Sequence, residues 1–351
     1  MDIKALLTDA ANMGASDVFI VAGLPFSYKV NGKINSINDI RLMPADTQAL
    51  VEEIYELADH RDMTTFSETG DDDFSFSIKG VSRFRVSTYK QRGSLAAVVR
   101  IITFQLPDPA KLGIPDAVIR LSAQTKGLVL VTGPAGSGKS TTLACIIDEI
   151  NRSRENHIIT LEDPLEYLHS HKKSIVSQRE ILSDTQSYVK ALRAALRQSP
   201  DVILLGEMRD YETINVAMTA AETGHLVIST LHTIGAANTI DRIIDVFPAN
   251  QQHQIAIQLS MVLQAVVSQQ LVPCTDGTQA PAFEIMNVNT AIRNMIRDNK
   301  IHQIDGTIYS SATADMISMD NSLLALYKSG RISQATALLY ATNPDMLKRK
   351  L

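Results

Sequence analysis

The stretch GLVLVTGPAGSGKSTT, residues 127–142, decides the fold class of this chain. Its opening apolar run, Leu128 to Thr132, is typical of a strand buried on both faces. A glycine-rich loop follows, and a helix is predicted to begin at Lys139. The loop fits the pattern G-x-x-x-x-G-K-[ST], and its defining positions are Gly133, Gly138, Lys139 and Ser140. This order of strand, loop and helix predicts a site for a nucleoside triphosphate, and we expect ATP.

Phosphate chemistry explains the residue types in this loop. Glycines let the backbone curl so closely that several N–H groups point at one anion, and the helix N-terminus adds partial positive charge. Lys139 is expected to reach the β- and γ-phosphates, and the Ser140 hydroxyl to ligate Mg²⁺. The other predicted nucleotide contacts in this segment are Gly133, Pro134, Ala135, Gly136, Ser137, Gly138, Thr141 and Thr142.

Composition limits the class of protein. The 351 residues suggest about two domains, and a hydrophobic content of 45% is ample for packed cores. The net charge of −5 gives no general attraction to nucleic acid or anionic lipid. Cys145 and Cys274, the only cysteines, fit a reducing compartment and exclude a four-cysteine zinc module.

No part of the sequence predicts a membrane segment. The N-terminus lacks the apolar core of a signal peptide. The best apolar candidate, Ile255 to Val267, is interrupted by polar residues and falls short of the ~20 residues that a span needs. We therefore expect a soluble cytoplasmic protein whose membrane role comes through partners.

Residues 1–102 predict a small α/β domain. Apolar residues at helical spacing from Ile3 to Met13 predict one helix, and an amphipathic pattern from Pro44 to Ala58 predicts another. Asn31-Gly32 is a strong hairpin signal. Residues 103–115 contain three prolines and are interpreted as a linker. Strands are predicted at DVFIVAG, FSYKV, DFSFSI, SRFRVSTY and LAAVVRII.

Residues 116–351 alternate between strand and helix patterns, which predicts a parallel sheet with helices on both faces. The predicted strands are nearly continuous apolar runs, as expected for strands buried on both faces: GLVLVT, HIITLE, DVILLG and HLVISTL. From about residue 249 the chain is predicted to be helical to its end, with a turn-rich break from Pro273 to Pro281.

Acidic residues follow the predicted strand HIITLE. Ligands of parallel sheets gather beyond the carboxyl ends of the strands, so Glu162 and Asp163 are expected to face the nucleotide. A carboxylate there can polarise the attacking water or hold Mg²⁺ through its water shell. For Glu166, a solvated acidic loop remains an equal alternative.

Another acid ends the apolar strand DVILLG. Glu207 occupies this position after Gly206, whereas Asp201 precedes the strand. We expect Glu207 to organise Mg²⁺ and water, and Arg209 to tie down neighbouring carboxylates.

Two histidines, His225 and His232, bracket the apolar strand LVISTL. A metal site is disfavoured, because no cysteine or third histidine lies nearby in the sequence. The residues are interpreted either as γ-phosphate sensors and hydrogen-bond relays or as structural histidines, and spacing alone does not separate the two.

The arginines of the N-terminal domain also have two interpretations. Arg83 and Arg85 share one face of the strand SRFRVSTY, and Arg92 and Arg100 follow across the next hairpin. They form either a basic edge that prevents strand aggregation or arginine fingers for a phosphate across a domain or subunit boundary. The residue pattern by itself favours the basic edge.

These segments together resemble the secretion ATPase superfamily, and most closely its type IV pilus retraction ATPases, which drive twitching motility. The resemblance covers essentially the whole chain. GPAGSGKSTT resembles the Walker A motif, ITLEDPLEY the aspartate box, ALRAALRQSPDVILLGEMRDYET the Walker B region and AETGHLVISTLHT the histidine box, with TIDRIIDVFP following. NTAIRNMIRDNK and MDNSLLALYKSGRIS resemble segments of the retraction type.

The resemblance implies a role for each candidate. Glu162 takes the catalytic role of the aspartate box, Glu207 takes the Walker B role, and His225 and His232 become the histidine-box residues. The implied arginines that complete the nucleotide site are Arg85 and Arg100, with Arg193 as a weaker third. With the resemblance included, the arginine-finger interpretation is favoured over the basic edge.

The resemblance also implies a PAS-like N-terminal domain joined to a RecA-like ATPase domain, assembled as a homohexamer at the inner face of the cytoplasmic membrane. The implied partners are an inner-membrane platform protein of the pilus machine and a second retraction ATPase, without direct DNA binding. The alternatives are a DNA-translocating or secretion ATPase on the same core and a non-hydrolysing regulatory subunit. The acidic net charge weighs against DNA translocation, and the intact carboxylates weigh against the regulatory subunit.

Three segments depart from the family pattern. Ala135 replaces the usual threonine of the phosphate loop, where the backbone does the binding. Residues 268–277, SQQLVPCTDG, replace a more basic segment, which bears on partner contacts. Asp298 replaces the final glutamate of the AIRNLIRE motif and keeps its charge.

Residues 291–300 predict an amphipathic helix, with Ile292, Met295 and Ile296 on its apolar stripe and Arg293, Arg297 and Asp298 off it. Replacing the two arginines with alanine is expected to cost under about 1 kcal/mol, because exposed charges contribute little to stability. The resemblance implies that this helix couples ATP turnover to the pilus machinery.

Overall fold

The computed structural model describes residues 2–30, 32–102, 106–311, 313 and 315–351. The chain divides into two compact units, the first comprising Met1–Gln105 with Glu166–Leu168 and the second Leu106–Leu165 with His169–Leu351. Each unit combines a β-sheet with helices, so the predicted α/β class is confirmed. Asn31 of the predicted hairpin and residues 103–105 of the predicted linker lie outside the described residues.

The first unit is built on a six-stranded sheet of order β3-β2-β1-β6-β5-β4, and its described pairings are antiparallel. Its strands are β1 (Asp17–Ile20), β2 (Pro25–Val30), β3 (Lys33–Arg41), β4 (Asp71–Ile78), β5 (Ser82–Gln91) and β6 (Ser94–Ile102). Its helices are α1 (Ile3–Asn12), α2 (Pro44–Leu57) and α3 (Thr64–Thr69).

Alternating side chains build the core of this unit. Phe74 and Phe76 of β4 pack with Phe84 of β5, because residues two apart on a strand point to one face. Strand β3 is exposed along its whole length. Its isoleucines lie three residues apart, at 34, 37 and 40, so its sequence lacks the period of two by which a strand is predicted.

The second unit contains a seven-stranded sheet of order β13-β12-β7-β11-β10-β8-β9. Strands β12 and β13 pair antiparallel, and the other described pairings are parallel. The strands are β7 (Gly127–Thr132), β8 (His157–Glu162), β9 (Ile175–Glu180), β10 (Val202–Leu205), β11 (Leu226–Leu231), β12 (Leu263–Pro273) and β13 (Gln279–Asn287).

Helices cover both faces of this sheet. The main helices are α4 (Asp116–Ile119), α5 (Lys139–Ser153), α6 (Tyr188–Ala195), α7 (Tyr211–Glu222), α8 (Ala236–Asp245), α9 (Ala249–Val262), α10 (Thr290–Arg297), α11 (Ile304–Ser310), α12 (Met319–Lys328), α13 (Gln334–Tyr340) and α14 (Pro344–Lys348). Short 3₁₀ helices lie at Arg120–Ala123 and Ile301–Gln303. Helices α6 to α10 pack on one face, and α4 and α5 pack on the other. No helix of the described residues has both the length and the apolarity of a membrane span.

The C-terminal region departs from the prediction of continuous helix. Helices α9 to α14 are present, but β12 and β13 form a hairpin that joins the sheet beside β7. The run Leu263–Pro273 is mostly buried, and a short apolar run does not by itself distinguish helix from strand. Pairing with β7 on one side and β13 on the other makes this run a strand rather than a helix.

Candidate functional site

The loop between β7 and α5 has the backbone of an anion site. Gly133, Gly136 and Gly138 have φ values of 141°, 76° and 87°, a region that glycine enters at little cost. Among the described residues, no side chain caps α5 at its N-cap Gly138, and no acid lies in its first turn. The start of a helix after a glycine-rich loop is a common place for an anion, because the helix dipole places partial positive charge there.

Lys139 lies directly against this loop. Its ammonium group donates hydrogen bonds to the carbonyl oxygens of Gly133 and Pro134, both at 2.9 Å, and the residue is buried. Ser137 is buried as well, and its hydroxyl has no hydrogen-bond partner among the described residues. A buried donor of this kind calls for a partner, and a phosphate oxygen in the loop would supply one.

Gln269 of β12 supports the loop, although the sequence analysis assigned it no role. Its Oε1 accepts a hydrogen bond from the Thr142 hydroxyl at 2.7 Å. A Cβ added at Gly133 would lie 2.1 Å from the Gln269 carbonyl oxygen, and one at Gly138 would lie 2.9 Å from its Nε2. The predicted nucleotide contact Thr142 is fully buried, and its amide donates to the Gly138 carbonyl oxygen at 3.1 Å.

A cavity of about 320 Å³ opens beside the loop. Gly138, Thr141, Thr142 and Gln269 line it next to the loop. The rest of its lining combines apolar and cationic side chains, among them Lys111, Leu112, Ile114, Leu271, Pro281 and Arg331. An apolar cleft with a few polar groups is the usual form of a small-molecule site.

Glu207 forms the centre of a second group of polar residues, just beyond β10. Its Oε2 forms an ion pair with Arg209 Nε at 2.7 Å and lies 3.5 Å from His232 Nε2. The Glu207 side chain is 22% exposed. Arg209 therefore ties down a carboxylate, as the sequence analysis expects, and His232 borders the same oxygen.

Glu162 and Asp163 lie at the end of β8, which pairs with β10. Gln178 of β9 directs its Nε2 at Glu162 Oε1, at 3.5 Å. The His169 N–H donates to Gln178 Oε1 at 2.7 Å, which fixes the orientation of the amide. Because β9 contains mostly polar residues, the sequence did not predict this strand. Strand β9 brings Gln178 next to Glu162. Glu166 belongs to the short segment grouped with the first unit.

Tyr188 marks the point where the carboxylates converge. Its hydroxyl lies 2.8 Å from the place that a Cβ on Gly206 would occupy, so the glycine makes room for it. Burial raises the pKa of Tyr188, and the charges of Glu207, Asp163 and Glu162 raise this pKa further. The three predicted acids are thus close enough to one hydroxyl to act on it together.

The structure separates His225 from the other predicted site residues. His225 precedes β11 and His232 follows it, so a strand of six residues keeps them roughly 20 Å apart. The His225 carbonyl accepts from Gly127 N at 3.0 Å, at the sheet edge opposite the phosphate loop. Its Nδ1 lies 2.9 Å from the Ala220 carbonyl oxygen. His225 and His232 therefore lie at opposite ends of one strand and cannot meet one ligand within a single chain, so the assignment of His225 to the nucleotide site stays a prediction.

The candidate arginines lie in different units. Arg85 of β5 and Arg100 of β6 are directly opposite in register, and Arg100 Nε bonds to Asp17 Oδ1 at 3.1 Å. Both belong to the first unit, whereas Arg193 lies on α6 of the second, where it pairs with Glu212 at 2.7 Å.

Arg293 of helix α10 is not the exposed charge that the sequence predicts. Its guanidinium donates to the carbonyl oxygens of Ser260 and Met261 at 2.8 and 2.9 Å, at the C-terminal end of α9. Arg293 therefore supports a neighbouring helix and is not a dispensable exposed charge. Among the described residues, Arg297 bonds only within its own segment, to Asn294 Oδ1 at 2.9 Å and to Asp298.

The candidate site contains oxygen donors suited to Mg²⁺, but the described residues do not provide a full set of protein ligands. The described residues contain no group of three or more His, Cys, Asp or Glu that could hold a metal ion. Mg²⁺ is commonly bound through one or two carboxylates together with substrate phosphates. Ser140 in the first turn of α5 and Glu207 beyond β10 fit this pattern of ligands.

Comparison with known proteins gives independent support for an ATPase site in this chain. The family model for "Type II/IV secretion system protein" matches residues 1–348. The chain is 45% identical over 345 residues to the "Type IV pilus retractation ATPase PilT" of Pseudomonas aeruginosa, covering 98% of this chain and 99% of the relative. It is 42% identical over 346 residues to the "Twitching motility protein" of Neisseria gonorrhoeae, covering 98% and 92%.

A solved structure has the same fold. The crystal structure of the pilus retraction motor PilT with bound ADP superimposes with a TM-score of 0.90. The two sequences are 47% identical, and the match covers 99% of each chain.

Replacing Gly133 tests how the loop depends on β12. We expect Gly133→Ala to weaken the binding of fluorescent ADP at least about tenfold, because the new methyl group would displace the Gln269 carbonyl and strain the backbone. Gly277→Ala, in the turn between β12 and β13, is the matched control, since its φ is also positive but a Cβ there meets nothing within 4 Å. It should cost about 1–2 kcal/mol of stability and leave affinity nearly unchanged. Equal affinities for the two variants would contradict the role given to β12.

Proposed function

This chain belongs to the Type II/IV secretion system protein family, and we propose that it hydrolyses ATP to power the retraction of type IV pili. The observation that carries the proposal is its similarity to a pilus retraction ATPase, at 45% identity along 98% of this chain and 99% of the other. The same residues that supply the phosphate loop and the strand-end carboxylates lie within this match.

The phosphate loop is proposed to hold the triphosphate. Lys139 would engage the β- and γ-phosphates, and the backbone amides of residues 135–141 would surround them. The buried Ser137 hydroxyl supports this assignment, because it lacks a partner among the described residues. The neighbouring cavity of about 320 Å³ is proposed to take the nucleoside.

Hydrolysis is proposed to depend on the acids at the strand ends. Glu162 would orient and deprotonate the attacking water, with Gln178 keeping its carboxylate in place. Glu207 and Ser140 would hold Mg²⁺, which supplies positive charge to the phosphate oxygens when bound. Arg209 and the adjacent His232 would hold the Glu207 carboxylate in place. His232 is also proposed to act as a hydrogen-bond relay between Glu207 and the γ-phosphate.

Arg85 and Arg100 are proposed to stabilise the transition state in trans, as arginine fingers of a homohexameric ring. Their placement supports a function beyond stability. Like charges directly opposite on neighbouring strands are destabilising, and Asp17 bonds to only one of the pair.

The proposed setting is the cytoplasmic face of the inner membrane, reached through partners. An inner-membrane platform protein of the pilus machine and a second retraction ATPase are the proposed partners, with Arg297 of α10 as a contact because it is exposed and bonds only locally. Direct DNA binding is not part of the proposal.

Two substitutions separate binding from hydrolysis. Glu207→Gln should retain nucleotide affinity and lose on the order of 10² or more in kcat, because it removes charge that acts mainly in the transition state. Lys139→Ala should instead weaken ATP binding itself, since it removes a phosphate contact. Phosphate release and fluorescent-nucleotide titration measure the two effects. Normal turnover in Glu207→Gln, or unchanged affinity in Lys139→Ala, would contradict the assignments.

The ring should be required for catalysis if the arginines act in trans. Activity per subunit is then expected to rise steeply with protein concentration as rings form. Mixing Lys139→Ala with Arg85→Ala subunits provides a control, because a mixed ring can pair an intact loop with an intact arginine and regain activity. An isolated monomer that hydrolyses ATP at the full rate would refute the proposal.

Retraction itself is tested in a strain that lacks this protein. We expect excess surface pili and loss of twitching, both restored by the wild type and not by Glu207→Gln. Arg297→Ala should hydrolyse ATP and form rings but restore retraction poorly. Wild-type twitching with Arg297→Ala would remove Arg297 from the proposed contact. Normal pilus numbers together with a defect in DNA transfer would favour a DNA-translocating ATPase instead.

A further inference from the structure

The connection from β8 to β9 takes its shape from contacts with other elements. The two strands are parallel neighbours, and parallel strands are usually joined through a helix. Residues 163–174, all of which the structure describes, join them here and contain neither helix nor strand. Strand β9 also ends the order of the seven-stranded sheet and has β8 as its neighbour. Whatever fixes this connection therefore also limits where the side chains of β9 can lie.

Asn151 of α5 fixes the second half of the connection. Its Nδ2 donates a hydrogen bond to the Ser170 carbonyl oxygen at 2.8 Å, and its Oδ1 accepts one from the Lys172 amide at 3.1 Å. Its backbone carbonyl oxygen accepts from the Lys173 and Ser174 amides, at 2.9 and 3.3 Å. One helical residue thus holds most of the run 170–174.

Packing alone does not explain an asparagine at this position. Asn151 is fully buried, and the neighbouring Ile147 and Ile150 of the same helix belong to the apolar core. A buried amide costs free energy unless it is hydrogen-bonded, and asparagine is less favourable than leucine inside a helix. The bonds to residues 170–174 are what offset this cost.

The segment that Asn151 holds also carries the contact that orients Gln178. His169 directly precedes Ser170, and its amide donates to Gln178 Oε1 at 2.7 Å. Because the oxygen of the Gln178 amide faces His169, its Nε2 is the atom that faces Glu162 Oε1, at 3.5 Å. A displacement of residues 169–170 would therefore change the donor that faces the Glu162 carboxylate.

These groups share the face of the sheet that α5 covers. Ile158 of β8 and Val176 of β9 belong to the core cluster that includes α5. Alternate residues of a strand point to one face, so Glu162 and Gln178 lie on that face as well. A path of hydrogen bonds, with one short piece of chain in it, therefore runs from Asn151 to the Glu162 carboxylate.

We propose that Asn151 is a positioning residue for hydrolysis, which acts through residues 169–174 and Gln178 to hold the Glu162 carboxylate where it orients the attacking water. The inference rests on the proposed function in taking Glu162 as the group that acts on this water. Asn151 lies near the C-terminal end of α5, roughly 18 Å from Lys139 along the helix axis. Its effect is therefore expected on the rate of hydrolysis and not on nucleotide binding.

Steady-state ATP hydrolysis by the full chain tests the proposal. Asn151→Leu is close in size and removes both side-chain hydrogen bonds. It should lower kcat about tenfold and leave KM for ATP within about twofold, because misplacing a catalytic group slows the chemical step. Gln178→Ala should lower kcat at least as much, again with KM nearly unchanged.

The double variant of Asn151→Leu and Gln178→Ala separates a shared path from two independent effects. Its kcat should be no lower than that of Gln178→Ala, because both substitutions remove the same constraint on Glu162. Losses that multiply in the double variant, or a wild-type kcat in Asn151→Leu, would overturn the proposal.

Ser174→Ala is the matched control. Ser174 is 2% exposed and lies in the same segment, but its hydroxyl donates to the Arg154 carbonyl oxygen at 2.6 Å and accepts from the Asn156 amide at 3.2 Å. These bonds join the segment to the chain between α5 and β8. Ser174→Ala should lower stability and keep the wild-type kcat. A loss of kcat equal to that in Asn151→Leu would reveal a merely structural effect and contradict the proposal.

Hydrogen exchange at the His169 amide, without nucleotide, tests the tie between Asn151 and Gln178 separately from the role of Glu162. Asn151→Leu should accelerate this exchange about tenfold, whereas Ser174→Ala should leave it unchanged. Wild-type protection in Asn151→Leu would overturn the tie. Wild-type turnover in Glu162→Gln would instead refute the proposed function of Glu162, while the exchange result would still decide the tie. If Asn151→Leu does not fold, Asn151→Asp replaces it in both measurements, since it keeps the acceptor for Lys172 and lacks the donor to Ser170.

Discussion

The close approach of β7 and β12 at Gly133 is the constraint on which the site depends. A Cβ at this position would lie 2.1 Å from the Gln269 carbonyl oxygen, so the two strands can approach only because glycine is there. Strand β12 is itself held on its other side by β13. The phosphate loop therefore takes its shape from the sheet, and α5 begins directly after the loop, at Lys139.

Parallel pairing explains why distant acids act at one point. Strands β8, β10 and β11 lie side by side, so the residues that follow them reach the same edge of the sheet. Glu162 ends β8 and Glu207 follows β10 at that edge, with His232 beside Glu207. Tyr188 fills the space that Gly206 leaves between the strand ends. The same geometry places His225 at the opposite edge of the sheet, away from these acids.

The C-terminal segment completes the catalytic unit rather than merely following it. It supplies Gln269 beneath the phosphate loop and Glu284 at the start of α8. It also supplies Arg293, which closes the end of α9. The Gln269 and Glu284 contacts join the nucleotide edge of the sheet to α5 and α8. A motor needs such connections, because binding energy at one site has to change structure elsewhere.

The sequence by itself determined the phosphate loop, the α/β class and the acids at the strand ends, because these depend on local patterns: glycine spacing, apolar runs and the residue after each run. Only the tertiary structure decided the strands β9 and β12, the supporting roles of Gln269 and Glu284, and the separation of His225 from His232. Pairing partners set strand identity for short or polar segments. Buried polar contacts join residues more than a hundred positions apart, as between Thr142 and Gln269, and no local pattern records them.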